Sequence, residues 1–478
     1  MPDRFENLKN TIENKRCAVL GLGVSNLPLT KLLLGLTEPE LLTVYDKKSV
    51  VELGEAAEEL ALRGVRFVCG DDWQEKVEGD VIFRSPGIRP DLPSLALAEE
   101  KGALLTSEIE RLLELTAAQT FAITGSDGKT TSTTLCGKFL EAAGMRVFVG
   151  GNIGTPLLDK CEEMTESDAC VLELSSFQLM RLPHAPMYTA ITNVSPNHLN
   201  WHIDFDEYVE AKKNIVGENT KRLVVNADCE ITRDFGRAIA ESGREVIFFS
   251  SSRSSFGEIV GGTYPNAKAV YRRDGAICIS DGKSEIELLE EKEIRLPGTH
   301  NIENYMTAMA LTYGYAEPQD FLSVAREFTG VEHRLEPVRT LDGVEYINGS
   351  IDSSPTRTIA ALSALHGRDI VVICGGYDKN LDYAPLAPKL CESARVLVLT
   401  GATADKIERA SIESYLFSCS MSFQVVSIRL VNLGSSMTLI TKLCRGELMS
   451  SPEIRNMPYS SHSLRSRSSW AGVFRVGM

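Results

Sequence analysis

The sequence predicts an α/β protein of three domains, the first and last Rossmann-like. Three observations predict it. An apolar strand, a glycine turn and a helical stretch follow one another at 16–34, at 121–144 and at 395–410. Further short apolar runs, among them Val81-Ile82-Phe83 and Ala169-Cys170-Val171-Leu172, end in polar or glycine turns between stretches of helical spacing. That alternation is the pattern of sheets covered by helices on both faces. A chain of 478 residues, 43% of them apolar, has the length and the apolar content for roughly two to four packed domains. The expected boundaries are 1–109, 110–331 and 332–478.

Composition narrows the function. The formal net charge of −15 argues against a sequence-independent grip on nucleic acid or on an anionic membrane. Eleven cysteines are scattered without a CxxC pair or metal-ligand spacing, so buried or inert thiols in a reducing compartment are expected. The charged N-terminus MPDRFENLKNTIENKR is unlike a secretory signal. No apolar run approaches the ~18 residues that span a bilayer. A cytoplasmic, monomeric protein is expected.

In the first domain, CAVLGLGVSN supplies G-x-G at Gly21 and Gly23, with Asn26 where a dinucleotide fingerprint has its third glycine. A second strand ends at Asp46, placed to meet ribose hydroxyls in such a fold. Ser85-Pro86-Gly87 is a turn at the C-terminal end of a buried strand, where ligands of open α/β sheets sit. The G-x-G turn is read either as a nucleotide or nucleotide-sugar site or as structural.

The second domain carries the clearest chemistry. Thr124-Gly125-Ser126-Asp127-Gly128-Lys129-Thr130-Thr131 stands between a strand and a helix. The turn's N–H groups and the helix N-terminus face an anion, Lys129 would reach outer phosphates, and the Thr130 hydroxyl a magnesium ion. The loop is shorter than the usual G-x-x-x-x-G-K-[ST], since Ile123 occupies the first glycine position. Glu173, at the end of a buried strand, needs a cation or donors: magnesium, or a neighbouring Ser or Lys. His198 leaves another strand end, either as a ligand or as a satisfied structural residue. Lys212 and Lys213 fall near the middle of a helix expected over 206–219, where local pattern alone makes them a solvated basic face. Asn301 and Asn304 lie i,i+3 in the first turns of a helix, as ligand contacts or caps. Asp274-Gly275 marks a hairpin.

The third domain repeats the αβ pattern up to about residue 410. Beyond it the composition shifts. Residues 411–478 hold sixteen serines and seven Lys/Arg against three Asp/Glu, and strand and helix periods fade. A slip of the reading frame near 405–412 is one account of that change.

In order along the chain, ITGSDGKTT, GGNIG, VLELSSFQL, NHLNWH with AKKN downstream, GTHNIEN, FTGVEHRLE and GGYDKNLDY resemble the Mur ligase family over roughly 15–410, most closely its D-glutamate-adding branch. The resemblance implies a UDP-binding first domain, a P-loop-type ATPase in the centre and a third domain carrying the amino acid. The implied reaction adds D-glutamate to UDP-N-acetylmuramoyl-L-alanine in peptidoglycan synthesis. ATP phosphorylates the substrate carboxylate, and the amine attacks the acyl phosphate. Residue by residue, Lys129 and Thr130 match phosphate and magnesium residues, within a cradle of Gly125, Ser126, Asp127, Gly128 and Thr131. Glu173 and His198 match ligands of two magnesium ions, and Lys212 a lysine that the family carbamylates. Asn304 matches the adenine contact with Asn301 beside it, and Arg334 a linker arginine near the ATP. Asn152 matches a UDP-sugar contact, Ser25, Asp46, Lys47, Ser85 and Gly87 fall on the uridine and diphosphate side, and Lys379 matches the lysine for a D-glutamate carboxylate. Departures are Asn197 and Asn200 where many relatives have Asp, Asp127 for Asn, Gly349 for Asp, and a tail without the serine-rich turn, Phe and RG pair that close the amino acid pocket. Alternatives are a sister ligase with another amino acid, or a chain that binds ATP and UDP-sugar without turnover.

Overall fold

A computed structural model describes residues 5–331, 335–350, 354–365, 367–378, 381–417, 424–433, 436–444 and 473–477. The strands form three sheets of five, nine and seven strands. The chain falls into two compact units: Met1–Pro196, Asp204–Arg295 and Asn301–Glu327 in the first, and Asn197–Ile203, Leu296–His300 and Phe328–Met478 in the second.

The first sheet has the order β3-β2-β1-β4-β5, from β1 (Cys17–Leu20), β2 (Leu42–Asp46), β3 (Arg66–Cys69), β4 (Val81–Arg84) and β5 (Leu104–Thr106). All its pairings are parallel. Period-two alternation splits its side chains between two cores. Val19, Val44 and Phe83 pack on one face, and Leu20, Tyr45 and Ile82 on the other, as a doubly wound sheet requires. The order reverses between β1 and β4, so the turns after those two strands flank one crevice. The helix Glu108–Leu115 runs across the boundary expected at 109.

The second sheet has the order β14-β13-β12-β11-β10-β9-β6-β8-β7. Its strands are β6 (Gln119–Thr124), β7 (Val147–Gly151), β8 (Ala169–Glu173), β9 (Tyr188–Ile191), β10 (Arg222–Asn226), β11 (Glu245–Ser250), β12 (Ala267–Arg273), β13 (Ala276–Ser280) and β14 (Glu285–Glu290). It is parallel from β7 to β12 and ends in two antiparallel strands. The expected hairpin joins β12 and β13, with Asp274 and Gly275 at φ 51° and 81°. The chain leaves β6 for β7, returns to β8 on one side of β6, then crosses to β9 on the other, so the end of β6 is the switch point where ligands bind.

The third sheet has the order β15-β16-β21-β17-β18-β19-β20, from β15 (Glu336–Leu341), β16 (Val344–Asn348), β17 (Asp369–Gly376), β18 (Ala394–Gly401), β19 (Gln424–Leu433), β20 (Ser436–Cys444) and β21 (Val473–Gly477). Three strands therefore come from the stretch whose periodicity was expected to fade. The alternation is present at Val426, Ile428 and Leu430 against Ser427 and Arg429, and the serine-rich sequence around it obscures it.

Candidate functional site

The loop Gly125–Gly128 leaves β6 and enters the helix Lys129–Ala142. Two of its glycines are forced. A Cβ on Gly125 (φ 150°) would stand 1.8 Å from Thr192 Oγ1, and one on Gly128 (φ 80°) 2.4 Å from Asn304 Oδ1. The loop is held from behind by the end of β9. Ser126 N donates to Asn193 O (2.9 Å), Asp127 N to Asn193 Oδ1 (2.9 Å), and Thr192 Oγ1 to Asp127 O (2.5 Å). Ser126 Oγ bonds Ser195 O and the Tyr208 hydroxyl, each at 2.9 Å. Lys129 Nζ folds back on the loop, donating to Gly125 O (2.9 Å) and Ser126 O (3.1 Å).

Lys212 is buried, 2% exposed. The helix that carries it is Phe205–Lys213, so both lysines stand in its last turn rather than at its middle. The solvated basic face of the local reading is wrong for Lys212: the helix packs its Lys212 side under the cradle. Its Nζ donates to Gly125 O (2.9 Å) and Thr124 Oγ1 (3.4 Å), 4.5 Å from the centre of the Tyr208 ring. Two amines, those of Lys129 and Lys212, therefore share one carbonyl oxygen. Burial first and the Lys129 charge second push the Lys212 amine well below the ordinary lysine range.

Glu173 ends β8 beside β6 and is 2% exposed. Its Oε1 accepts from Asn152 Nδ2 at 2.7 Å. Its Oε2 is buried without a hydrogen-bond partner. Asn152 is fixed in turn by its own N–H to Glu173 O (2.7 Å). A Cβ on the neighbouring Gly151 (φ 94°) would stand 2.3 Å from that same oxygen. Neither the Ser nor the Lys partner considered for Glu173 takes Oε2. The residues fit ATP and magnesium: a loop with no room for side chains at two positions, a helix N-terminus, and a deep carboxylate oxygen that only a cation or donor would compensate. Among the described residues, no three His, Cys, Asp or Glu gather as a metal cluster. An ion here would complete its shell with phosphate and water oxygens.

Asn301 and Asn304 are buried in the first turns of the helix Thr299–Thr312. Asn304 Oδ1 accepts from Ser132 Oγ (3.2 Å) and its Nδ2 donates to Asn301 Oδ1 (3.2 Å), so the pair leans on the cradle helix. Asn152 also joins this group, through Glu173. Thr130 and Thr131 are buried in the first turn of the cradle helix.

On the first sheet, Asp46 turns inward: Oδ2 accepts from Leu22 N (2.8 Å) and Oδ1 from Lys48 N (2.9 Å). It shapes the glycine turn it was expected to face. Asn26, 1% exposed, donates Nδ2 to Leu20 O and Gly21 O, both at 3.0 Å. An amide thus ties the turn where a third glycine was missing. Ser25 precedes the helix Asn26–Leu34 without a capping hydrogen bond. Lys47 pairs with Asp71 at 3.1 Å on the surface. Ser85 N donates to Leu20 O (3.1 Å), joining the turns after β1 and β4. A Cβ on Gly87 would meet nothing within 4 Å.

His198 lies in the second unit, at φ 55°, its N–H on Asn197 Oδ1 (2.9 Å) and its carbonyl accepting from Trp201 N and His202 N (3.0 Å each). Of the expected metal set, Thr130, Glu173 and Lys212 share the first unit and His198 does not. Arg334 and Lys379 lie outside the described residues. Sequence reasoning missed Tyr208, Thr192 and Asn193, which hold the cradle. The TNVS run after β9 was the available signal for the last two.

The description "Mur ligase middle domain" matches residues 123–312. The chain is 44% identical over 414 residues to a protein of Ruminiclostridium cellulolyticum, covering 86% of this chain and 85% of that protein. It is 43% identical over 413 residues to one of Clostridium novyi, covering 86% of each. The chain belongs to the Mur ligase family. Both relatives are named UDP-N-acetylmuramoylalanine–D-glutamate ligase. The fold is similar to that of UDP-N-acetylmuramate-alanine ligase MurC from Thermotoga maritima, with a TM-score of 0.51 at 18% identity, covering 86% of this chain and 90% of that one.

Proposed function

We propose that this chain joins D-glutamate to UDP-N-acetylmuramoyl-L-alanine at the expense of ATP, in cytoplasmic synthesis of peptidoglycan precursors. The observation that carries the reading is the Gly125–Gly128 cradle with Lys129 and Lys212 bonded to it and Glu173 on the adjacent strand, in a chain 41–44% identical to relatives bearing that ligase's name. Bound ATP, with magnesium, supplies the phosphoryl group that turns a carboxylate, a poor acyl donor, into a competent one.

The chain's residues do the positioning. Lys129, at the helix N-terminus, brings a cation to the outer phosphates, and the backbone of Gly125–Thr131 cradles them. Glu173 would hold a magnesium ion through Oε2, while Asn152 fixes Oε1. Asn304, steadied by Ser132 and Asn301, faces the base. Lys212 is the carbamylation site in this reading. Only a neutral amine adds carbon dioxide, forming the N–C bond and releasing a proton, and the burial that lowers this amine's pKa favours its neutral form. The carbamate would then offer an anionic ligand to a metal, with Glu173 and Thr130; a metal role for His198 rests on the family resemblance. Ser25, Asp46, Lys47, Ser85 and Gly87 line the UDP side, while Arg334 and Lys379 serve ATP and D-glutamate. Domains at 1–109, 110–331 and 332–478 would divide these tasks, in a monomer.

ADP release with UDP-N-acetylmuramoyl-L-alanine, magnesium and bicarbonate, with and without D-glutamate, tests the reading. D-glutamate-dependent release with formation of the amide is expected. Turnover with a different amino acid only, or substrate binding without turnover, overturns it.

A further inference from the structure

Two arginines flank the turn after β4, and both leave the first sheet's own elements. Arg84, 4% exposed, donates to Ser85 O (3.4 Å) and Pro86 O (3.3 Å) within the turn, and to Phe177 O (3.3 Å), four residues past Glu173. Arg89 makes a two-sided fork. Nη1 and Nη2 meet Glu207 Oε2 and Oε1 at 3.0 and 2.8 Å, while Nε and Nη2 meet Asp91 Oδ1 and Oδ2 at 2.9 and 2.8 Å. Glu207 stands in the first turn of the helix Phe205–Lys213, its N–H on the N-cap Asp204 at 2.8 Å. The next residue, Tyr208, holds Ser126 of the cradle, and Lys212 lies beyond it on the same helix.

We propose that Arg89 is a positioning residue, which through Glu207 sets the helix carrying Lys212 in register with the nucleotide-sugar turn at Ser85–Gly87. The inference rests on the reading of Lys212 given above. A lone exposed ion pair would carry little. This one is bidentate on both sides and about four-fifths shielded, with side-chain exposure of 21% for Arg89 and 20% for Glu207, and Asp91 aims the guanidinium at one helix turn. The local charge also excludes a direct role. Two carboxylates against one guanidinium leave the spot net negative, which repels a diphosphate. The Arg84 guanidinium, donating to Phe177 O, ties the same turn to the segment after Glu173, so both carboxylate and amine are indexed to the UDP side.

Steady-state kinetics of Arg89→Lys, Glu207→Gln and the exchanged pair Arg89→Glu/Glu207→Arg test it. Asp91 remains in the exchanged pair as a second acceptor for the new arginine. Arg89→Lys and Glu207→Gln are each expected to lower kcat about tenfold or more, since ångström-scale misplacement of a reacting group costs on the order of a hundredfold. The KM for the UDP-substrate should stay within about twofold, and the exchanged pair should recover kcat above Arg89→Glu alone. Amide exchange across 205–213 is expected to quicken in both single variants whatever the turnover of the unaltered chain. A raised KM in the Arg89 variants with Glu207→Gln normal would make Arg89 a substrate contact and overturn the proposal. So would unchanged kcat or unchanged exchange. An unaltered chain that binds D-glutamate and UDP-substrate without turnover refutes the ligase reading instead, and exchange then decides this one.

Discussion

Gly128→Ala puts one methyl group into a point of the cradle with no room for it. Its Cβ would lie 2.4 Å from Asn304 Oδ1, about 1 Å inside ordinary contact. The side chain that must give way accepts from Ser132 and donates to Asn301, all three buried. Losing those two hydrogen bonds costs about 1 kcal/mol each, and φ 80° adds about 1 kcal/mol of left-handed strain. The sum, ~3 kcal/mol, lowers Tm by roughly 6–12 °C in a domain of this size. ATP affinity is expected to fall with it, because the displaced amide is the one proposed to face the base. Gly144→Ala is the control. It has φ 87° and nothing within 4 Å of the added Cβ, so it bears strain alone. Calorimetric unfolding and ATP titration of both variants settle the matter. If Gly128→Ala is no worse than Gly144→Ala on either measure, the contact between cradle and Asn304 does not exist.

Burial pushes the Glu108 carboxyl from its ordinary 4.5 up to about 7. Between those values the unfolded chain ionises first, so stability present below pH 4.5, ~3 kcal/mol in all, is lost as pH rises through 7. Denaturant unfolding at pH 5, 6 and 8 should show Glu108→Gln gaining on the unaltered protein at each step, and parallel curves would refute this. Glu173→Gln keeps an acceptor for Asn152 and removes the buried charge: a loss of about a hundredfold or more in kcat, with Tm unchanged or higher, is expected from kinetics and calorimetry. Chelation should abolish turnover of the unaltered protein, and added magnesium should restore it. Lys212→Met should abolish ADP release without lowering Tm, since a desolvated amine is replaced by an apolar chain.

Local order was legible where one short stretch supplies all the parts. The cradle, the hairpin at Asp274-Gly275 and the alternating elements of the first two sheets needed only neighbouring residues. What escaped depends on which backbone group a side chain turns to meet. Lys212 reads as a surface lysine because nothing near it in sequence announces that the distant Gly125 will take its amine. Asn26 reads as a defect in a glycine fingerprint, yet its amide does the tying by reaching back to Leu20 and Gly21. Asp46 was placed correctly at the strand end, but its carboxylate is taken up by Leu22 and Lys48 backbone groups. Arg84 and Arg89 carried no motif, since an arginine's reach of several ångströms leaves no periodic trace. In the tail, a period-two strand was hidden by serines that satisfy either structure or loop.

The carbonyls of the cradle have a consequence for what may be altered there. Gly125 O is taken by two lysines, Ser126 O by Lys129, and Asp127 O by Thr192. With those lone pairs occupied, the loop offers a visiting molecule little to donate to. Its preference for negative ligands is then written in backbone dipoles, not in side-chain charge, and an aspartate at 127 does not reverse it. Variation should accordingly be tolerated in the charge carried at 127 and punished in what the loop's backbone must do.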